Sequence, residues 1–264
     1  MKKPVSFFAV VTSLLALSLL SGCVQSIKMD KEQISSIKRI GVVSIIQDKF
    51  VVKHVGSTVF TNSEKEFDSP WQFNAEITEA IRSELAAYPY IFVDLKKAAG
   101  NFQGAYDKVN RFTATYVTYD HAPIKEELKK IAMDNSLDAL ILVTSHFSKD
   151  YVEQTDQTLK GYGLYKRSFL GSERAHIYFW GMMKILDGHT MELIALRPLG
   201  TQKKIETSFW KEDVALLSDE EKKTFESTIK AGIKDTIRVN LGRIGLIKCV
   251  PDDYYCSDPV SGEK

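Results

Sequence analysis

The sequence has few of the features that mark membrane-embedded or nucleic-acid-binding proteins. Apart from its N-terminal segment, it lacks any apolar run that approaches the roughly 20 residues of a membrane-spanning helix. It also lacks an excess of either charge, because 35 basic residues oppose 34 acidic ones. A nucleic-acid-binding domain requires a basic face. We therefore predict no nucleic-acid partner.

The chain also lacks the short motifs of common catalytic sites. It contains no G-x-S-x-G, and the S-x-x-K stretch at residues 35–38 is not accompanied by S-D-N or K-T-G. The five histidines show no paired ligand spacing, so we predict no metal, no cofactor and no catalytic residue. One alternative stays open. His146 and His176 lie on or near predicted strands and could meet Asp150 or Glu173 in a cleft, as in a hydrolase or a ligand-binding protein.

The most specific pattern that is present lies at the N-terminus. Lys2 and Lys3 precede an uncharged, mostly apolar stretch at residues 4–20, and small residues follow directly before Cys23. This succession of a positive, an apolar and a small-residue region is typical of a secretory signal peptide. We therefore predict that residues 1–22 are removed on export.

The four residues 20–23, Leu-Ser-Gly-Cys, resemble the lipobox of bacterial lipoproteins. The resemblance implies that Cys23 becomes the new N-terminus and carries diacylglyceryl and N-acyl chains such as palmitate, which hold a protein on a bilayer. Val24 stands where an Asp would resemble an inner-membrane retention signal, which implies the outer membrane and a domain that faces the periplasm. Residues 23–36 are polar with scattered apolar side chains, and we predict that they form a short tether.

Two cysteines remain after this processing, Cys249 and Cys256. A closely spaced pair in an exported protein predicts a disulfide. Metal binding is the alternative interpretation, but no histidine lies nearby and the spacing is not C-x-x-C. We therefore predict that the bond fixes the C-terminal tail, residues 246–264.

The hydrophobic pattern between residues 37 and 245 predicts one domain that contains both helices and strands. Short apolar or β-branched runs indicate strands, and Asp187-Gly188 between two further runs is typical of a hairpin turn. The single-strand runs are at 38–46, 50–60, 90–95 and 139–143, and those flanking the turn are at 175–186 and 190–196. We also expect a hairpin turn at 47–49 between the first two runs and a long loop at 148–174, while residues 96–120 indicate no clear element.

Three apolar stripes at helical spacing predict the main helices. The first follows a capping box that begins at Ser69, the second begins at Pro123, and the third follows a capping box formed by Ser218 and Glu221. The predicted fold class is therefore α/β (α+β), with a mixed β-sheet, a C-terminal β-hairpin and three main helices packed mostly on one face.

This order of elements is similar to the domain shared by the N-terminal domain of TolB and the envelope lipoproteins CsgG and LpoB. The pieces that carry the resemblance are the lipobox and the segments 39–43, 69–93, 137–143 and 184–192. It covers about residues 37–245 and implies an accessory or scaffolding role. A membrane channel is disfavoured, because spanning strands alternate apolar and polar residues and residues 151–160 do not.

Aromatic residues at 178–180 lie on both faces of their predicted strand. A central strand that is buried on both sides explains them, and the alternative is an exposed surface of Tyr178 and Trp180 that binds a partner or a glycan. The prediction is a membrane-anchored, periplasm-facing lipoprotein that acts as a non-catalytic interaction or assembly module of the cell envelope. Its partner would be an envelope protein or a second copy. The alternative is a periplasmic hydrolase or ligand-binding lipoprotein with a site near His146 and His176.

Overall fold

A computed structural model of the chain describes residues 29–95, 121–150, 152–251, 253 and 256. The predicted signal peptide, Cys23 and residues 96–120 lie outside the described residues. Within the described ranges, no helix is both long enough and apolar enough to cross a membrane.

The described residues form ten strands and four α-helices. The strands are β1 (Arg39–Ile45), β2 (Lys49–Val55), β3 (Ser63–Asp68), β4 (Ile91–Val93), β5 (Ala139–Ser145), β6 (Phe147–Asp150), β7 (Thr155–Lys160), β8 (Tyr162–Phe169), β9 (Ser172–Asp187) and β10 (Leu193–Ile205). The helices are α1 (Lys31–Ser36), α2 (Phe73–Leu85), α3 (Lys125–Asp134) and α4 (Asp219–Ile244).

The long strand β9 organises the main sheet. β5 and β8 lie end to end along one edge of β9 and are antiparallel to it, and β10 pairs antiparallel with the other edge. β1 and β2 lie end to end in the next row, parallel to β5 and β8 respectively, and β4 and β3 complete that side of the sheet. The predicted mixed sheet with a C-terminal hairpin, formed by β9 and β10, is confirmed.

Two local predictions in this region are wrong. Residues 47–49 do not form a hairpin turn, because they carry the chain from a row beside β5 to a row beside β8, where the Gln47 N–H donates to Ser145 Oγ. Residues 148–174 are not a long loop. β6 and β7 form a hairpin of their own, and β8 enters the main sheet. The strands β6 and β7 consist mainly of polar residues, so the hydrophobic pattern of the sequence does not reveal them.

Helices α2 and α4 cover one face of the sheet, and helix α3 and the β6–β7 hairpin cover the other. In β5, Ile141 and Val143 belong to the core under α2 and α4, whereas Leu140 and Leu142 belong to the core under α3. The β6–β7 hairpin covers the same face as α3, over the half of the sheet that contains β2 and β8. Two of the three main helices therefore share one face, and α3 lies on the other.

The helix starts agree with the sequence only in part. At α4, the Ser218 hydroxyl accepts from the Glu221 N–H, and the Glu221 side chain accepts from the Ser218 N–H, so the predicted capping box is confirmed. α2 begins at Phe73 rather than directly after Ser69. The reason is that Ser69 bonds to the main chain of Trp71, whose ring packs 5.1 Å from that of Phe50 and stays outside the helix.

Regular structure also begins earlier than predicted. The last residues of the segment interpreted as a tether form α1, which starts with a capping box between Asp30 and Gln33. Met29 and Ile37, on either side of this helix, are buried in the core. Residues 29–37 therefore pack with the domain and are not part of a free tether.

The two ends of the sheet are built from different connections. At the first end, Asp138 N–H donates to Arg39 O and Gly188 N–H donates to Asp138 O, so the starts of β1 and β5 meet the β9–β10 turn. At the second end, β2 and β8 finish side by side, and β8 turns into β9. β9 runs between these ends for 16 residues, which at about 3.3 Å per residue is about 50 Å.

Candidate functional site

Large apolar side chains project from the second end of the sheet. We call the set Val59, Phe60, Phe169 and Leu170 the tip surface; their exposed fractions are 76%, 95%, 46% and 82% respectively. The first two lie in the β2–β3 connection and the others at the β8–β9 turn. Such exposure brings no burial energy to the isolated domain, and a cluster of apolar side chains on a surface is typical of an interaction site.

The backbone of Leu170 strengthens this interpretation. Leu170 and Gly171 are the two central residues of the β8–β9 turn, and both have positive φ, 47° and 79°. A two-residue turn of this kind favours Asn-Gly, and a leucine in the left-handed region costs about 1–2 kcal/mol. Leucine at position 170 is therefore neither buried nor conformationally favoured. A contact outside the domain would explain its presence.

Next to the tip surface, polar side chains link the end of β2 to the β8–β9 hairpin. The Ser168 hydroxyl lies 3.0 Å from His54 Nε2 and 3.1 Å from Glu173 Oε1, and Glu173 also pairs with Lys166 at 3.2 Å. Burial, together with the charge of Lys166, lowers the pKa of His54. A serine beside a neutral histidine resembles part of a nucleophilic set, but the carboxylate here contacts the serine rather than orienting the histidine. The arrangement therefore links β2 to the β8–β9 hairpin.

A second polar cluster lies under the β6–β7 hairpin and is centred on Asp150. Its carboxylate accepts hydrogen bonds from the Glu153 N–H at 3.0 Å, from the Thr155 hydroxyl at 2.7 Å and from the Tyr165 hydroxyl at 2.7 Å. Burial raises the pKa of Asp150, but these hydrogen bonds outweigh burial and hold the pKa below its ordinary value. The pKa of Tyr165 is raised, and burial of its hydroxyl is the largest cause. An ionised Asp150 is thus a fixed acceptor that holds the hairpin on the sheet.

Glu153 extends this cluster to β9. One carboxylate oxygen lies 2.8 Å from His176 Nε2 and the other 2.9 Å from an Arg174 guanidinium nitrogen. The side chains of Glu153 and His176 are only 3% and 2% exposed, and the His176 ring stacks on Tyr165 with centroids 6.1 Å apart. The Glu153 carboxylate therefore has two partners, whereas His176 Nδ1 is buried without a hydrogen-bond partner among the described residues.

His146 and His176, which the alternative interpretation places in one cleft, do not meet in the structure. The His146 N–H bonds to the carbonyl of Trp180, which lies four residues from His176 on β9, so the two backbone positions are separated by about 13 Å. His146 packs beside Phe147, with ring centroids 5.1 Å apart, and burial together with the charge of Lys184 lowers its pKa to about 4. The structure brings His176 to Glu153 instead of to His146.

The acidic residues proposed for that cleft also have other partners. Asp150 holds the hairpin, and Glu173 lies beneath the tip surface. In the described part of the chain, no group of three or more His, Cys, Asp or Glu side chains is arranged to hold a metal ion.

β9 is buried on both sides at Tyr178 and Phe179, so the alternative interpretation of Tyr178 and Trp180 as one exposed surface is wrong. Tyr178 is fully buried between the sheet and the hairpin, and its hydroxyl donates to the Lys160 carbonyl at 3.2 Å. Trp180 is half-buried, and its ring covers Gly200 of β10. The hairpin, which the hydrophobic pattern does not reveal, is the physical reason that Tyr178 is covered.

The C-terminal cysteines are joined in the structure. Cys249 and Cys256 form a disulfide, and between them Asp253 makes two hydrogen bonds, of 2.7 and 2.9 Å, to the guanidinium of Arg243 near the end of α4. The bond and the ion pair together fix this segment against the helix. The lipidation residue, Cys23, lies outside the described residues.

Sequence reasoning missed the tip surface for a definable reason. Val59 and Phe60 lie in a run with strand-like composition, and Leu170 lies in a segment interpreted as a loop. One signal was available, because Leu170-Gly171 stands where a hairpin turn favours Asn-Gly. That signal can be recognised only when β8 and β9 are known to pair.

Comparison with known proteins finds similar solved structures but no related sequences. No protein-family model matches the chain, and no curated protein matches it. The lipoprotein GNA1162 from Neisseria meningitidis is 9% identical over 75% of this chain and 99% of its own, with a TM-score of 0.32. Protein XCC0632 from Xanthomonas campestris is 9% identical over 78% and 82%, with a TM-score of 0.35. The LpoB C-terminal domain from Salmonella enterica is 11% identical over 72% and 94%, with a TM-score of 0.28. These values are too low to transfer a function to this chain.

Proposed function

We propose that the chain is a lipoprotein anchored through Cys23 to the periplasmic face of the outer membrane, where it acts as a non-catalytic interaction module of the cell envelope. The tip surface would be its contact with a partner protein. The observation that carries the proposal is Leu170, which is exposed in a backbone conformation that disfavours leucine, at the same end of the sheet as a Phe60 that is 95% exposed.

The position of the tip surface suits a tethered protein. The chain enters the sheet at Arg39, at the opposite end from the tips, and the long strand between the two ends spans about 50 Å. An anchor before Met29 would therefore leave the tips at the far end of the domain. A partner in the periplasm could contact them without approaching the bilayer.

The size of the tip surface fits a modest, reversible contact. Full burial of a valine, leucine or phenylalanine side chain contributes about 1.5–3 kcal/mol, and part of the sum is lost to the entropy of association. Four such side chains would supply a central apolar contact, around which polar groups of the partner would add specificity.

Photo-crosslinking in cells tests this function. A photoreactive amino acid would replace Phe60 or Leu170 in the full chain, and Met133, which is 63% exposed, would be the matched apolar control on α3. We expect one discrete protein adduct from both tip positions and none from position 133. Equal labelling at all three positions, or adducts to lipid alone, would contradict a protein contact at the tips.

Cys23→Ala tests the anchor, because it should release the protein from the membrane fraction.

Leu170→Asn separates binding from stability. Asparagine is favoured in the left-handed turn position, so we expect the free energy of unfolding to rise by about 1 kcal/mol, while the adduct from position 60 falls severalfold. Chemical denaturation and the crosslinking assay measure the two effects. A variant that is more stable and still forms the adduct would show that Leu170 is not part of the contact.

A further inference from the structure

A second surface feature lies far from the tip surface, along the edge of β10 with which no described strand pairs. An open groove of about 650 Å³ runs between this edge and α4, and we call it the edge groove. The residues that matter for its chemistry are Trp180, Arg197, Pro198, Asp235, Val239 and Arg243. Its volume is within the range of about 300–1,000 Å³ that is common for small-molecule sites.

The backbone of β10 is closed to the addition of another strand at this point. The outward carbonyl of Pro198 accepts from Asn240 Nδ2 at 2.8 Å, and that of Gly200 accepts from the Thr236 hydroxyl at 3.2 Å. Pro198 also has no N–H to offer. A ligand of the edge groove would therefore be recognised by side chains rather than by a β-ladder.

Arg197 is the unusual residue of the edge groove. Its side chain makes no hydrogen bond or ion pair with any described residue, and its Nε is buried without an acceptor. Its charged neighbour Arg243 is engaged by both carboxylate oxygens of Asp253. Burial and the charge of Arg243 lower the pKa of Arg197. Asp235 also lines the groove but makes no ion pair with Arg197. The half-buried guanidinium therefore lies beside a second cation without a carboxylate partner among the described residues, and a bound anion would stabilise it.

We infer that the edge groove binds an organic anion, a carboxylate or a phosphate monoester that carries an apolar body. The anionic group would receive charge-assisted hydrogen bonds from the guanidinium of Arg197, whose planar fork matches either group. The apolar body would lie along Trp180, Pro198 and Val239. None of these residues belongs to the tip surface, so the inference is independent of the proposed function.

The test uses the full lipidated chain in nanodiscs, with empty nanodiscs as the blank. Ligand-observed NMR titrations would compare 4-phenylbutyrate, phenyl phosphate, the neutral 4-phenylbutanamide and inorganic phosphate. We expect saturable binding of at least one aryl anion, with the amide and inorganic phosphate at least tenfold weaker. The tighter of the two aryl anions identifies the preferred head group. Equal binding of the acid and the amide, or of phenyl phosphate and inorganic phosphate, would overturn the inference.

Two variants of Arg197 complete the test. Arg197→Gln should weaken binding of the aryl anion about ten- to a hundredfold, since it removes a charge-assisted hydrogen bond, and Arg197→Lys should weaken it less. Arg197→Met should melt at the same temperature as the wild type or higher, because the cation it removes has no hydrogen-bond or ion-pair partner among the described residues. Undiminished binding by Arg197→Gln, or a clearly lower melting temperature for Arg197→Met, would overturn the assignment of Arg197 to a ligand.

Discussion

Replacing Glu153 by alanine should lower the free energy of unfolding by about 1–3 kcal/mol, the cost of leaving a buried hydrogen-bonding group without its partner. Glu153 is 3% exposed and its carboxylate bonds both His176 and Arg174. His176 Nδ1 already lacks a partner, so the variant would leave both ring nitrogens buried and unpaired. The β6–β7 hairpin would then lose the contacts of Glu153 with β9 and would keep the hydrogen bond from the Tyr178 hydroxyl to the Lys160 carbonyl.

Arg174 provides a matched control for this loss. Its side chain is 56% exposed, and exposed ion pairs contribute about 0–1 kcal/mol, so Arg174→Gln should cost less than 1 kcal/mol. Chemical denaturation measures both variants. His176→Phe in the Glu153→Ala background should restore part of the lost stability, because an apolar ring can replace the imidazole against Tyr165 without an unpaired nitrogen.

The same variants separate a structural cluster from a catalytic one. In a hydrolase, a glutamate that orients a histidine can be removed with a large loss of activity and little loss of stability. The burial of both Glu153 and His176 predicts the reverse. A Glu153→Ala variant as stable as the wild type would contradict the structural interpretation and reopen the alternative of a ligand or substrate site around His176.

The sequence was sufficient to predict an element where a local pattern of apolar, capping or turn residues specifies it. β5 is a continuous apolar run because both of its faces are buried, and Asp187-Gly188 marks the β9–β10 turn. The helix α4 was predictable because its capping box and its apolar stripe agree. In each case, residues close in the chain determine the structure, so no knowledge of distant partners is needed.

The sequence was insufficient to predict the surroundings of a side chain where segments distant in the chain pack against it. Tyr178 is buried because the β6–β7 hairpin folds over it, and that hairpin is held by polar contacts of Asp150 and Glu153 that leave no hydrophobic periodicity. Arg197 resembles any charged residue of an edge strand until Arg243 is placed beside it. Both the covered aromatic and the unpaired cation are consequences of tertiary packing.

Mild acid should destabilise this domain through His146. Burial and the charge of Lys184 lower the pKa of His146 to about 4 in the folded protein, whereas the unfolded chain has a pKa of about 6.5. Between these values the unfolded state binds the additional proton, so the free energy of unfolding falls as the pH falls. Integrated over the window from about pH 6.5 to about pH 4, the loss is about 3 kcal/mol. Above that window His146 is neutral in both states and contributes no pH dependence.

Denaturation curves at several pH values between about 4.5 and about 7.5 would measure this effect, with His146→Gln as the comparison. His54 also has a lowered pKa and contributes a slope of the same sign, so the informative quantity is the difference between the two proteins. We expect the wild type to lose stability on acidification more steeply than His146→Gln. Parallel curves would show that His146 is not held neutral in the folded state. A steeper wild-type curve would instead identify the junction of β5, β6 and β9 as a buried, proton-sensitive part of the fold, distinct from both the tip surface and the edge groove.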